Sequence, residues 1–140
     1  MALIVQKYGG SSVADIDCIK NVAARVARHH AQGDKIVVVV SAMRGETDRL
    51  LGLAKSLTDI PSEREMDMIL STGEQTTIAL MAITLHTMDV PAVSLTGAQA
   101  GIITDLIHTK AKIRNISPDQ MHKLLDAGNV VIVAGFQGQT

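Results

Sequence analysis

The sequence predicts an α/β protein, a layered α/β/α sandwich with a mainly parallel sheet. Short apolar runs alternate along the chain with longer segments in which apolar residues recur at helical spacing. The run at residues 35–40 contains four consecutive valines and has no polar face, which is typical of a strand covered on both sides. Parallel strands with helices packed on their faces accommodate such an alternation.

We expect four buried strands, at residues 2–8, 35–40, 92–95 and 130–134. In an open parallel sheet, ligands gather beyond the carboxyl ends of the strands. That rule selects the four loops that follow these strands, at residues 9–12, 41–46, 96–101 and 135–140.

Local signals place the helices between the strands. We expect the first helix to begin at Ser12 or Asp15, either of which could cap it, and to end before Gly33. Thr47 or Asp48 is expected to open the second helix.

The segment that follows is expected to contain two helices and the region before the last strand one. Residues 62–65 form a capping-box pattern, so a helix should start there. Residues 71–73 are expected to interrupt it, and a largely apolar helix should restart at Glu74 and reach His86. The last helix is predicted to start at residue 117 and to end at Gly128.

Composition excludes several classes of function. The chain has 13 basic and 14 acidic residues and a net charge of -1, so no polyanion such as nucleic acid is expected as a partner. Tyr8 and Phe136 are its aromatic residues, too few for base-stacking platforms. Cys18 is the single cysteine, which excludes an internal disulfide, and we expect a buried, inert thiol. The histidines show no ligand spacing, so no metal site is predicted.

No membrane segment is expected, because no run of eighteen uncharged apolar residues occurs. The apolar start of the chain lacks a basic leader and a cleavage site, so it does not resemble a signal peptide. A reducing, cytoplasmic location fits these features.

The first loop carries the strongest chemical signal. Lys7 ends the first predicted strand, and Gly9 and Gly10 follow before a helix begins. Glycines let backbone approach a phosphate, the helix start presents free N–H groups, and a lysine adds positive charge. The alternative is a turn whose glycines serve geometry alone, and the residues favour neither interpretation. The loop matches neither a Walker A sequence nor a Gly-x-Gly-x-x-Gly fingerprint.

Two further sites carry candidate groups. Ser41 and Thr47 could donate hydroxyl hydrogen bonds to a phosphate or carboxylate, although Thr47 alone is better explained as a helix cap. Glu74 follows Gly73 at the expected helix start, where it could complement the helix dipole or, with room left by the glycine, bind a substrate ammonium group.

Taken in order, the loops resemble those of aspartokinases, members of the amino-acid kinase family. Residues 7–13 read KYGGSSV, where aspartokinases usually read KFGGTSV. The other similar motifs are VVVSAM at 38–43 with Thr-Asp at 47–48, STGE at 71–74, LTGAQAG at 95–101 and GFQG at 135–138. Tyr8 and Ser11 depart from the pattern but conserve size and hydroxyl chemistry.

The resemblance implies transfer of the ATP γ-phosphoryl group to the side-chain carboxylate of L-aspartate, giving 4-phospho-L-aspartate in lysine, threonine and methionine biosynthesis. Lys7 would hold the transferred phosphoryl group, and Tyr8, Gly9 and Gly10 would complete the phosphate site. In this pattern Ser41, Thr47 and Glu74 would bind aspartate, Glu74 through the α-ammonium group. Magnesium would arrive with ATP.

Aspartokinases continue with a GRGGSD motif, an adenine-binding half and usually ACT domains, and none of these occurs in residues 1–140. We therefore expect residues 1–140 to form the N-terminal lobe of such a kinase domain and to be inactive alone. Two alternatives stand beside this: a related kinase acting on another carboxylate, and a non-catalytic binding lobe that self-associates, so a homo-oligomer is possible.

Overall fold

The computed structural model describes residues 2–96 and 119–135, together with the backbone of residues 102–104 and 113–116. The strands are β1 (Leu3–Tyr8), β2 (Lys35–Val40), β3 (Ala92–Leu95), β4 (Ile102–Thr104), β5 (Ile113–Ile116) and β6 (Val130–Ala134). The helices are α1 (Ile16–Ala31), α2 (Glu46–Lys55), α3 (Glu63–Thr87) and α4 (Asp119–Asp126).

The central sheet is parallel and has the strand order β1-β2-β6-β3. Its strands lie where the apolar runs predicted them, which confirms the α/β fold and the parallel sheet. A short antiparallel β4–β5 pair was not predicted, because its strands of three and four residues are too short to show an alternating pattern.

Helices cover both faces of the sheet. On one face, α1 and α3 pack against Val38, Val40 and Ile132 in the larger apolar core. On the other face, Leu125 of α4 packs with Val37, Val131 and Val133. These neighbouring residues alternate between the two faces because successive side chains of a strand point in opposite directions. The three layers agree with the predicted sandwich.

The first strand is not buried as predicted. In the described sheet, β1 is an edge strand, and Leu3 and Val5 are 55% and 64% exposed. In a parallel pair, residues in register share a face of the sheet, and Lys7 is in register with Val39. Leu3, Val5 and Lys7 therefore lie on the α4 face, which α4 covers only over the central strands.

The predicted break at residues 71–73 is also wrong, since α3 runs without interruption from Glu63 to Thr87. The Ser71 hydroxyl donates to the Met68 carbonyl at 2.8 Å, and the Thr72 hydroxyl donates to the Ile69 carbonyl at 2.6 Å. These groups thereby bond within the helix and need no turn. Glu74 consequently lies in the middle of a 25-residue helix, not at a helix start.

The helix starts are partly as predicted. The Asp15 carboxylate caps α1 by accepting from the Cys18 amide at 2.9 Å, and Gly33 follows its end with φ 88°. Ser62 precedes α3, but its side chain makes no capping hydrogen bond, so the capping box does not form. Cys18 is half-buried, because it lies in the first turn of α1 rather than on the core-facing stripe.

Three predicted features lie wholly or mostly outside the described residues: the loop at 96–101, the loop at 135–140 and the helix start at residue 117. Among the described residues, no helix combines the length and the apolar run that crossing a bilayer requires.

Candidate functional site

The first two loops meet at the carboxyl edge of the sheet. Tyr8 and Val40 are in register at the ends of β1 and β2, so the chain leaves both strands at the same level. A Cβ added to Gly10 would lie 3.5 Å from the Ala42 carbonyl oxygen and 3.8 Å from the Ser41 hydroxyl oxygen. The glycine at this position therefore lets the first loop pass close to the second.

A cavity of about 310 Å³ opens beside this junction. It lies at the lower end of the range for small-molecule sites, roughly 300–1,000 Å³. Its described lining comes from the first loop, the second loop and α3: Gly10, Ser41, Ala42, Met43, Arg44, Gly45, Thr47, Leu70 and Glu74. The sequence predicted four of these as neighbours, namely Gly10, Ser41, Thr47 and Glu74.

The second loop is held by a tight turn. The Glu46 amide donates to the Met43 carbonyl at 3.1 Å, and Gly45 has φ 78° and ψ -9°. These values suit the third residue of a type II turn, where a positive φ makes glycine the favoured residue. Gly45 is also the N-cap of α2 and offers no side-chain cap. Thr47 therefore lies inside the helix, so the interpretation of Thr47 as its cap is wrong, and its exposed side chain borders the cavity.

Glu74 is buried at the wall of the cavity, with 4% of its surface exposed. A carboxylate in such a position favours a cationic partner, because burial penalises an uncompensated charge. The neighbouring Gly73 was expected to leave room for a ligand, and this expectation is wrong. A Cβ there would lie 3.2 Å from Ala42 Cβ and 3.2 Å from Glu46 Cγ, so Gly73 instead permits close packing of α3 against the second loop.

Lys7 and Tyr8 do not line this cavity in the described structure. The Lys7 side chain is exposed and starts on the α4 face of β1, whereas Glu74 approaches from α3 on the other face. The Tyr8 ring packs against the larger core, and its hydroxyl donates to Gln6 Oε1 at 3.0 Å. Gly9 is exposed, and a Cβ there would meet nothing within 4 Å, so its backbone is open to a ligand.

The start of α1 differs from the expected phosphate cradle. The helix begins at Ile16, and the Asp15 carboxylate already accepts from the Cys18 amide. This hydrogen bond, together with the positive charge of Arg44, lowers the pKa of Asp15 below its ordinary value. A negative group thus occupies the positive end of the helix dipole, so the helix start is not available to a phosphate. The backbone of the glycine loop remains accessible to one.

A second cavity, of about 400 Å³, lies at the opposite edge of the sheet and is lined by His30, Lys35, Asp126 and neighbouring residues. There Lys35 Nζ and Asp126 Oδ1 form an exposed ion pair at 2.5 Å, which lowers the pKa of Asp126. Although this cavity is larger, the first one has the buried carboxylate and lies at the carboxyl edge, where ligands of parallel sheets bind.

Sequence reasoning assigned no role to the other five lining residues, and two of these, Arg44 and Leu70, contribute a charged and a large apolar side chain. Leu70 belongs to an ordinary apolar helix stripe, and a single arginine in a polar loop carries no distinguishing pattern. The described residues contain no group of three or more His, Cys, Asp or Glu side chains placed to hold a metal ion.

Comparison with known proteins gives the same fold and a family. Residues 2–140 match the model of the amino acid kinase family. An aspartokinase of Geobacillus stearothermophilus is 54% identical over 140 residues, which is 100% of this chain and 34% of that protein. The chain spans about a third of the length of the curated relatives it matches.

Solved structures extend the comparison. The aspartate kinase from Synechocystis superposes with a TM-score of 0.80 at 46% identity, over 94% of this chain and 21% of that one. Escherichia coli aspartokinase III, solved with aspartate and ADP, gives a TM-score of 0.77 at 21% identity, over 97% of this chain and 41% of that one, and so shares the fold. With a family model matched along nearly its whole length, this chain belongs to the amino acid kinase family.

Proposed function

We propose that this chain is the N-terminal lobe, at residues 1–140, of a kinase that transfers a phosphoryl group from ATP to the side-chain carboxylate of L-aspartate. The observation that carries the proposal is the cavity shared by Gly10, Ser41, Thr47 and Glu74. Relatives 54% identical that are named aspartokinase support the choice of substrate. The product is 4-phospho-L-aspartate, and we place the reaction in the cytoplasm at the start of lysine, threonine and methionine biosynthesis.

The acceptor carboxylate is already ionised, so the reaction needs no general base. Its main difficulty is to bring two anionic groups together in line, which makes positioning and charge neutralisation the main tasks of the protein. In this proposal Glu74 binds the α-ammonium group, and the hydroxyl groups of Ser41 and Thr47 donate hydrogen bonds to the aspartate carboxylates. The buried position of Glu74 strengthens its attraction for the ammonium group.

The glycine loop forms the phosphate end of the site. The open backbone at Gly9 and the close approach of Gly10 to the second loop fit a phosphate group placed beside the aspartate pocket. Lys7 contributes its charge from the end of β1, with its flexible stem reaching over the edge of the sheet, and Tyr8 contributes its backbone. Magnesium accompanies the nucleotide in this proposal, and we assign it no ligand among the described residues.

Calorimetric titration of the 140-residue chain with L-aspartate tests the proposal. Glu74→Gln removes the negative charge and keeps the shape, so we expect its Kd to rise roughly 10- to 150-fold, as for the loss of a charged hydrogen bond. Glu63→Gln, at the exposed start of α3, is the matched control and should bind as the wild type does.

One result would contradict the choice of substrate, and another would contradict the role of Glu74. If L-glutamate binds tighter than L-aspartate, the chain belongs to a related kinase acting on another carboxylate. If Glu74→Gln and Glu63→Gln both bind aspartate like the wild type, Glu74 does not recognise the ammonium group.

A second candidate function, self-association as a binding lobe, is favoured by one observation. The edge strand β1 exposes Leu3 and Val5, and exposed apolar edge strands pair readily with other strands. Sedimentation of the chain combined with titrations of aspartate and ATP separates the candidates, because a non-catalytic lobe associates and binds neither ligand.

A further inference from the structure

Arg44 is the described cationic residue at the cavity that contains Glu74. The described lining of this cavity has two charged side chains of opposite sign. Glu74 is buried at the wall, and Arg44 is exposed. A ligand with separate positive and negative groups could meet both side chains at once.

The backbone around Arg44 is fixed by neighbouring hydrogen bonds. Arg44 is the second residue of the turn closed by the Glu46 amide and the Met43 carbonyl, with Gly45 in the left-handed conformation after it. The Arg49 amide then donates to the Gly45 carbonyl at 3.0 Å and starts α2. Arg44 therefore projects from a defined turn rather than from a loose loop.

The guanidinium group of Arg44 is available to a ligand. In the described part of the chain, Arg49 pairs with Glu46 and Arg64 pairs with Glu65, whereas Arg44 makes no ion pair within 4 Å. Its charge also contributes to lowering the pKa of Asp15, after the hydrogen bond from Cys18. Arg44 and Gly10 of the first loop line the same cavity.

We propose that Arg44 is a specificity-determining residue that binds an oxyanion of the ligand at the mouth of the cavity, while Glu74 binds the ammonium group. This inference rests on the proposed function and adds a residue to it. A planar guanidinium group can donate two parallel hydrogen bonds to a carboxylate or a phosphoryl group. The oxyanion comes either from the amino acid or from the nucleotide.

Two probes distinguish these sources, L-aspartate for the carboxylate and inorganic tripolyphosphate for the phosphoryl group. Calorimetry with each probe compares the wild type with Arg44→Gln, Arg44→Lys and the control Arg64→Gln. We expect Arg44→Gln to raise the Kd of at least one probe by roughly tenfold or more, as for loss of a charge-assisted hydrogen bond. Arg44→Lys should recover part of this loss, and Arg64→Gln, whose residue lies outside the cavity, should leave both affinities unchanged.

The Nε–Hε resonance of Arg44 in a 15N-labelled chain provides a direct readout, because it shifts when the guanidinium group binds an anion. A shift with the same probe whose Kd rises supports the inference and identifies the source. If Arg44→Gln binds both probes like the wild type, the inference is overturned. Aspartate binding that depends on Glu74 but not on Arg44 leaves the proposed function intact in that case.

The reverse result is equally clear. Tripolyphosphate binding that weakens in Arg44→Gln, in a chain that binds no aspartate, supports the oxyanion site and contradicts the proposed substrate. Failure of the wild-type chain to bind either probe contradicts both proposals.

Discussion

Asp15 is the N-cap residue of α1, and its side chain is ionisable. Its carboxylate accepts from the Cys18 amide in the first turn of α1, and this hydrogen bond stabilises the folded chain more when the carboxylate is ionised than when it is protonated. That hydrogen bond is the main reason why the pKa of Asp15 is lower than its ordinary value of 3.8. The extra stabilisation that comes from ionisation is therefore present above the ordinary pKa and is lost as the pH falls through the lowered one.

Replacing Asp15 tests this pH dependence. We expect Asp15→Ala to unfold at lower urea concentration than the wild type at neutral pH, with the difference shrinking below about pH 4. Asp15→Asn keeps a good capping group that does not titrate, so it should stay close to the wild type at neutral pH and lose less stability on acidification. A difference between Asp15→Ala and the wild type that is unchanged at about pH 3 would contradict the assignment.

Single residues also show how much of the candidate site could be predicted from the sequence. Gly10, Ser41 and Glu74 could be placed together before the structure, because parallel strands deliver their following loops to one edge and the motifs resemble a known family. Arg44 could not, since its role depends on a turn and on a cavity formed with a distant helix. The sequence also does not show which face of the sheet each β1 side chain occupies. It therefore could not predict that the Lys7 side chain begins on the face opposite α3.

At the scale of elements, α3 shows why small hydroxyl residues and glycine need not end a helix. Ser71 and Thr72 satisfy their hydroxyl groups on carbonyls of the preceding turn. Gly73 then lies where the helix approaches the second loop. A Cβ added there would contact the side chains of Ala42, Glu46 and Leu50. The pattern that predicted a break instead marks a close approach of α3 to the second loop and to α2.

Two glycines inside helices provide a matched test of this packing. Alanine is favoured over glycine in a helix interior by about 0.8–1.0 kcal/mol. Gly52→Ala should increase the free energy of unfolding by about that amount, because a Cβ there meets nothing within 4 Å. Gly73→Ala should instead decrease it, since overpacking costs about 1–3 kcal/mol, more than the helix propensity returns.

Urea unfolding of the two variants decides between packing and propensity. Equal stabilisation by both substitutions would show that α3 can move away from the second loop. Because Ala42 of the second loop and Glu74 of α3 both line the cavity, we also expect Gly73→Ala to weaken ligand binding, whereas Gly52→Ala should leave it unchanged.

At the scale of the whole molecule, strand order decides which apolar runs become core. Leu3 and Val5 belong to a run as apolar as those of the buried strands, but the order β1-β2-β6-β3 puts them at an edge. Periodicity within a segment reports on its own conformation and not on its neighbours, so the sequence predicted the strand correctly and its burial wrongly.

This edge leads to a prediction about association. A second copy of the chain could pair its own β1 with this one about a twofold axis, which would cover Leu3 and Val5 and satisfy the outer backbone groups of both strands. The double variant Leu3→Glu with Val5→Glu would set four like charges against each other across that axis, so we expect it to sediment as a monomer at concentrations where the wild type associates. The control is Leu57→Glu with Ile60→Glu, which changes two side chains that are each 87% exposed and lie outside the sheet. A wild-type chain that remains monomeric at about 1 mM, or association abolished only by the control, would exclude pairing through β1.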